Sequence, residues 1–113
     1  MSARLATGLL VGALLRRVNA AGGNAAVLAK GDADAGAVLI VTLEKGGNPR
    51  VLERGIGANG RVELVSAGPQ NVDNEREITE YWQRRRARDS DLWVIELDIA
   101  FAERFAAETM LTD

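Results

Sequence analysis

The stretch Asn74–Ile99, NEREITEYWQRRRARDSDLWVIELDI, restricts the fold more than any other part of this chain. Asn74 and Glu77 form an Asn-x-x-Glu capping box, the local signature of a helix start. Glu75, Glu77 and Glu80 in the first turns and the arginines near the end complement a helix dipole. The spacing therefore predicts a helix from Glu75 to about Asp89, ended by Asp89-Ser90-Asp91. Leu92–Ile99 then alternates as a strand does. Trp93, Ile95, Leu97 and Ile99 share one face, and Leu92, Val94, Glu96 and Asp98 the other. Helix, short turn and apolar strand must fold back on one another as one packing unit.

Upstream, Leu10, Val11, Leu14, Leu15, Val18 and Ala21 recur at helical spacing, and Gly22-Gly23 supplies a stop. A first helix over Leu9–Ala21 follows. Ala25–Lys30 is a short strand, and Gly31–Gly36 a turn bounded by glycines. Ala37–Leu43, AVLIVTL, reads as a central strand buried on both faces. Lys45–Pro49 is a turn. Arg50–Ile56 and Arg61–Ser66 flank Asn59-Gly60, a strong hairpin signal. The four short strands are expected to form an antiparallel meander, because their connections are too short for crossovers, and the last strand, nearly as apolar as the central one, could lie beside it. Ala67–Asp73 is a loop. Phe101 and Phe105, at i and i+4, mark a last helix reaching about Met110. The expected fold is α+β, a mainly antiparallel sheet of about five strands packed with three helices in the order α-β-β-β-β-α-β-α. No linker or repeat interrupts residues 1–113, which read as a single domain.

Composition narrows the chemistry. The chain has no cysteine and no histidine. Disulfides, thiolate nucleophiles, histidine-based triads and ordinary zinc sites are thereby excluded. No cofactor is predicted, and no recognisable catalytic constellation is present. A net charge of −2 offers no global attraction to nucleic acid or an anionic membrane. The apolar run Leu5–Leu15 is too short to span a bilayer. Val18-Asn19-Ala20 loosely resembles a cleavage site, but Arg16 and Arg17 follow the run where a secretion signal has none. A packed amphipathic helix in a cytoplasmic protein, with no membrane association, is the expectation.

Five features invite a functional reading. Gly55–Gly60 fits G-x-G-x-x-G, but a strand rather than a helix follows, so a nucleotide loop is set aside. Asp32 and Asp34 sit in a glycine-bounded turn, where they could ligate a hard cation, but a Ca²⁺ loop needs further ligands that are absent, so they are expected to bond turn amides or offer an interaction surface. Arg84, Arg85, Arg86 and Arg88 suggest a nucleic-acid patch, yet helical geometry disperses them. Arg84 and Arg88 share one flank, Arg86 lies on the other, and Glu80 stands i, i+4 from Arg84. Arg85 projects from the apolar face beside Ile78, Tyr81 and Trp82. Its guanidinium needs a partner there, and Glu96 or Asp98, on one face of the following strand, is the expected one. Glu96 and Asp98 could instead act as a general acid/base or metal pair.

The residues Leu14-Leu15-Arg16-Arg17-Val18, Ala20-Ala21-Gly22-Gly23, Lys30-Gly31-Asp32, Asp34-Ala35-Gly36, Glu80-Tyr81, Arg84-Arg85-Arg86, Asp91–Asp98 and Glu103-Arg104-Phe105 together resemble domain of unknown function 1491, a family of small alphaproteobacterial proteins. The resemblance spans nearly the whole chain. It implies an intracellular bacterial protein of about this length, and it implies no activity. The leading expectation is a non-enzymatic domain that binds an unknown protein partner or forms a homo-oligomer, with Asp32, Asp34, Arg84 and Arg88 as candidate surfaces. One alternative is a nucleic-acid accessory protein using the arginine-rich helix. Another is a carboxylate- or metal-dependent enzyme using Glu96 and Asp98.

Overall fold

In a computed structural model of the protein, residues 5–70 and 74–111 are described; the end of the predicted loop Ala67–Asp73 lies outside them. Among these residues the elements follow the predicted order: α1 (Thr7–Ala20), β1 (Asn24–Ala29), β2 (Val38–Glu44), β3 (Gly47–Ile56), β4 (Val62–Ser66), α2 (Glu75–Arg88), β5 (Trp93–Asp98) and α3 (Ala102–Met110). The end of α1 shows why its double glycine matters. Gly22 adopts φ +92°, which only glycine takes without strain. The Gly22 and Gly23 amides then donate to the carbonyls of Asn19 and Val18, closing a Schellman stop. At the start of α2, the Asn74 side chain accepts from the Glu77 amide at 3.3 Å, the predicted cap.

The sheet order is β1-β5-β2-β3-β4. This corrects the expected four-stranded meander. Only β2, β3 and β4 meander, while β5 enters between β1 and β2, antiparallel to the first and parallel to the second. The physical reason is burial. WVIELD is nearly as apolar as VLIVTL, and two strands buried on both faces are most stable at the centre. Asn24–Ala29 is mostly exposed and sits at the edge. A second correction concerns the β2–β3 turn. It closes at Lys45-Gly46, both at positive φ as a two-residue hairpin requires. Asn48 and Pro49 lie inside β3, where the register with β2 shifts. Proline, which cannot donate to a ladder, is tolerated at such an irregularity.

The predicted alternation of β5 divides the core. Trp93, Ile95 and Leu97 pack with Val11, Leu14 and Val18 of α1 and with Ala102, Ala106 and Met110 of α3. Leu92 and Val94 pack with Leu39, Val41, Val51 and Ile78 beneath α2. Two helices therefore cover one face and a single helix the other. Each fully buried Leu, Ile or Val stabilises by roughly 1.5–3 kcal/mol relative to exposure.

Candidate functional site

Arg85 does find a carboxylate, but not the expected one. Its Nη1 donates to Glu53 Oε2 of β3 at 2.7 Å and to the Tyr81 hydroxyl at 2.7 Å. The strand register explains the correction. After the Asp89–Asp91 turn, β5 runs back along α2, so its first residues lie level with the helix C-terminus. Val94 pairs with Leu39, and Leu39 with Glu53, which carries that level across the sheet to Arg85. Glu96 and Asp98 lie further along the strand, toward the start of α2. The proximity of a carboxylate holds the Arg85 guanidinium charged throughout the accessible pH range.

Glu96 and Asp98 do not work as a pair either. Asp98 spends both oxygens on the β2–β3 turn, accepting the Lys45 and Gly46 amides at 2.8 Å each. Glu96 is half-buried, and its pKa is raised, first by desolvation and then by the charges of Glu75 and Asp98. Among the described residues, no group of three or more Asp and Glu side chains is placed to hold a metal ion. Raising a carboxylate pKa in the folded state means that its charge opposes folding. The penalty is present above the folded pKa and is relieved as pH falls through it. Glu96→Gln is therefore expected to raise Tm at pH 7 and to make no difference below the ordinary carboxylate range, checked by melting both proteins at pH 7 and near pH 3.5.

The other candidates are distributed around one end of the molecule. Asp32 Oδ2 accepts the amides of Asp34 (3.2 Å) and Ala35 (2.8 Å), stabilising its own turn. Its backbone carbonyl receives the Trp93 indole N–H at 2.7 Å, and the Asp34 carbonyl receives the Thr7 amide. The loop thus splices the start of α1 to the α2–β5 hinge. Arg86 Nη1 donates to the carbonyls of Lys30, Ser90 and Leu92 at 2.9–3.0 Å, clamping the same hinge. Glu80 pairs with Arg76 at 3.2 Å instead of Arg84. Arg84 and Arg88 remain exposed on the flank of α2. Two of the four clustered arginines are therefore held by the fold, which weakens the picture of an arginine grip on nucleic acid.

The most unusual residue is one the sequence did not single out. The i, i+4 spacing places Phe101 with Phe105 inside the last helix. Only Phe105 packs on the core. Phe101 is 72% exposed, precedes α3 as its N-cap, and adopts φ +59°, ψ +34°. A left-handed conformation costs an L-residue roughly 1–2 kcal/mol, and phenylalanine cannot cap a helix. The Arg104 guanidinium lies 5.6 Å from the ring centroid. Phe101 and Asn48, which is also left-handed (φ +56°), line an open cleft of about 450 Å³. An Arg50–Glu103 pair at 3.4 Å is among its walls. The available signal was a missing cap: no Ser, Thr, Asn or Asp immediately precedes the helix.

Residues 5–107 match the family model described as protein of unknown function DUF1491. The chain is similar to a DUF1491 family protein from Caulobacter crescentus, solved as a crystal structure. Identity is 31%, the match covers 90% of this chain and 94% of the other, and the TM-score is 0.76. A solution structure of a DUF1491 family protein from the same organism gives 30% identity, 92% and 94% coverage, and a TM-score of 0.74. A protein from A. tumefaciens, also solved in solution, gives 34% identity, 86% and 87% coverage, and a TM-score of 0.65. No curated protein matches the chain. Among the described residues, no helix is long and apolar enough to cross a membrane.

Proposed function

Because the chain belongs to the DUF1491 family, which brings no activity with it, we propose a role from its own geometry: a non-enzymatic protein-interaction domain that docks a partner on Phe101 and the adjoining cleft. Phe101 carries this reading. A sequence normally agrees with its fold at every level, and the exceptions concentrate where function requires them. Here a bulky aromatic occupies a position where glycine would relieve strain, and its ring faces solvent instead of the core. Aromatic residues, phenylalanine among them, and arginine are enriched at protein interfaces. Phe101 and Arg104 supply one of each, side by side.

The test separates binding from folding. Phe101→Gly is expected to stabilise the fold by up to about 1 kcal/mol, since relief of the left-handed strain exceeds the loss of an exposed cation–π contact. Affinity capture from the native host should show a protein retained by the wild type and depleted at least tenfold by Phe101→Gly, as loss of an anchor worth about 2 kcal/mol implies. Retention of the same proteins by both would overturn the docking site, and a large loss of stability would show that Phe101 serves the fold.

A further inference from the structure

A second cavity, separate from Phe101, has the composition of a small-molecule site. It has a volume of about 410 Å³ and opens where β2 begins. Its apolar wall comes from Leu10 of α1, Val38 and Ile40 of β2, Leu64 of β4 and Met110 of α3. The cavity exists because β3 outruns its neighbour: β3 continues to Ile56, whereas the β2–β3 ladder reaches only the Leu39–Glu53 pair. Pockets of this size with mostly apolar walls and a few fixed polar groups are the usual shape of ligand sites.

The polar side is built around Arg85 and Glu53, both of which line the cavity. Arg85 uses Nη1 for Glu53 and Tyr81, and its Nη2 and Nε donors carry no hydrogen bond among the described residues. Glu53 uses Oε2, leaving Oε1 as an acceptor. The two side chains remain 34% and 29% exposed, so the ion pair is not sealed off. A donor and an acceptor are thus held side by side by a 2.7 Å ion pair. Charge then decides which ligand suits them. Arg85 and Glu53 neutralise each other at 2.7 Å, so the polar side of the cavity carries no net charge of its own. An incoming carboxylate or ammonium would bring an uncompensated charge into a balanced, partly desolvated site. A neutral group that accepts from Arg85 and donates to Glu53 would leave that balance intact.

We infer that this cavity binds an uncharged amphipathic organic molecule, with an apolar body against Leu10, Val38 and Leu64 and a polar end that both accepts and donates, as a primary amide does. Three probes of equal chain length test it: octanamide, octanoate and octylammonium, each titrated into the ¹⁵N-labelled full chain. Octanamide is expected to give saturable shifts at Leu10, Val38 and Leu64, with an affinity at least tenfold above that of either charged probe. Leu64→Trp, which fills the apolar end, should weaken octanamide at least tenfold while the melting transition persists; should that variant not fold, Val38→Phe takes its place. Glu53→Gln leaves one positive charge in excess and should move selectivity toward octanoate at least fivefold. Absence of saturable octanamide shifts, octanoate or octylammonium binding as tightly to the wild type, undiminished binding to the filled variant, or unchanged selectivity in Glu53→Gln would each overturn the assignment.

Discussion

Gly31→Ala is expected to lower stability by about 3 kcal/mol, the upper range for steric overpacking, and Tm by roughly 15 °C. A Cβ at Gly31 would collide with the Asp91 carbonyl oxygen and stand 2.7 Å from both the Leu92 carbonyl carbon and Trp93 Cδ1. Two of these neighbours are backbone, so no rotamer change relieves the clash. The loop is held there by the Asp32 amide donating to that same Asp91 carbonyl at 3.0 Å. Relief would require moving the loop off the α2–β5 hinge and breaking this bond. Gly36 meets the same carbonyl, so the two glycines bounding the turn have one cause. The control is Gly22→Ala: its φ of +92° makes the change unfavourable, but a Cβ there meets nothing within 4 Å. It should cost only about 1–2 kcal/mol. Urea denaturation of both variants checks the order. Equal losses would mean that the Asp91 contact does not limit the loop.

Trp93→Ala is expected to cost about 4 kcal/mol, in the range for removing a buried aromatic. Trp93→Phe should cost only about 1–1.5 kcal/mol, the net value of one hydrogen bond. Trp93 is 5% exposed in the α1–α3 core, and its indole N–H donates to the Asp32 carbonyl at 2.7 Å. Its two functions, filling the core and anchoring the loop, are thus separable by the two substitutions. Because the Thr7 and Gly8 amides donate to the carbonyls of Asp34 and Ala33, releasing the loop should also loosen the first turn of α1. Hydrogen exchange at Gly8 should therefore accelerate in Trp93→Phe more than exchange at Val18, at the far end of the helix. Equal acceleration at both sites would show global destabilisation with no local release.

Local patterns carried much of this fold. The capping box at Asn74, the double glycine after α1 and the two-face alternation of β5 each rest on interactions within a few residues. They read correctly because the competing conformations are also local. The readings that changed were those depending on distant partners. The Lys45–Pro49 turn extends three residues too far in the sequence reading because asparagine and proline dominate the signal, whereas Lys45-Gly46 alone forms the loop and Gly47 already opens β3. The meander failed because short connections favour neighbouring strands but do not forbid a later strand from entering between them. Arg85 was correctly marked as needing an anion. Glu53 stands 32 positions upstream, and no spacing rule connects α2 to β3, which lies two places from β5 in the sheet.

The amino-acid sequence determined the elements, their order, the inward faces of α1, α2 and β5, and the absence of thiol and imidazole chemistry. These follow from backbone propensity, periodicity and composition, which act over a few residues or over none. Tertiary structure alone decided that β5 lies between β1 and β2, that Arg85 meets Glu53, that Asp98 serves a turn, and that Phe101 faces solvent. The strand order and the pairings of Arg85 and Asp98 are outcomes of competition between distant groups for the same buried space or the same hydrogen-bond partners. Such competition is settled by the geometry of the whole sheet, which no window of sequence contains.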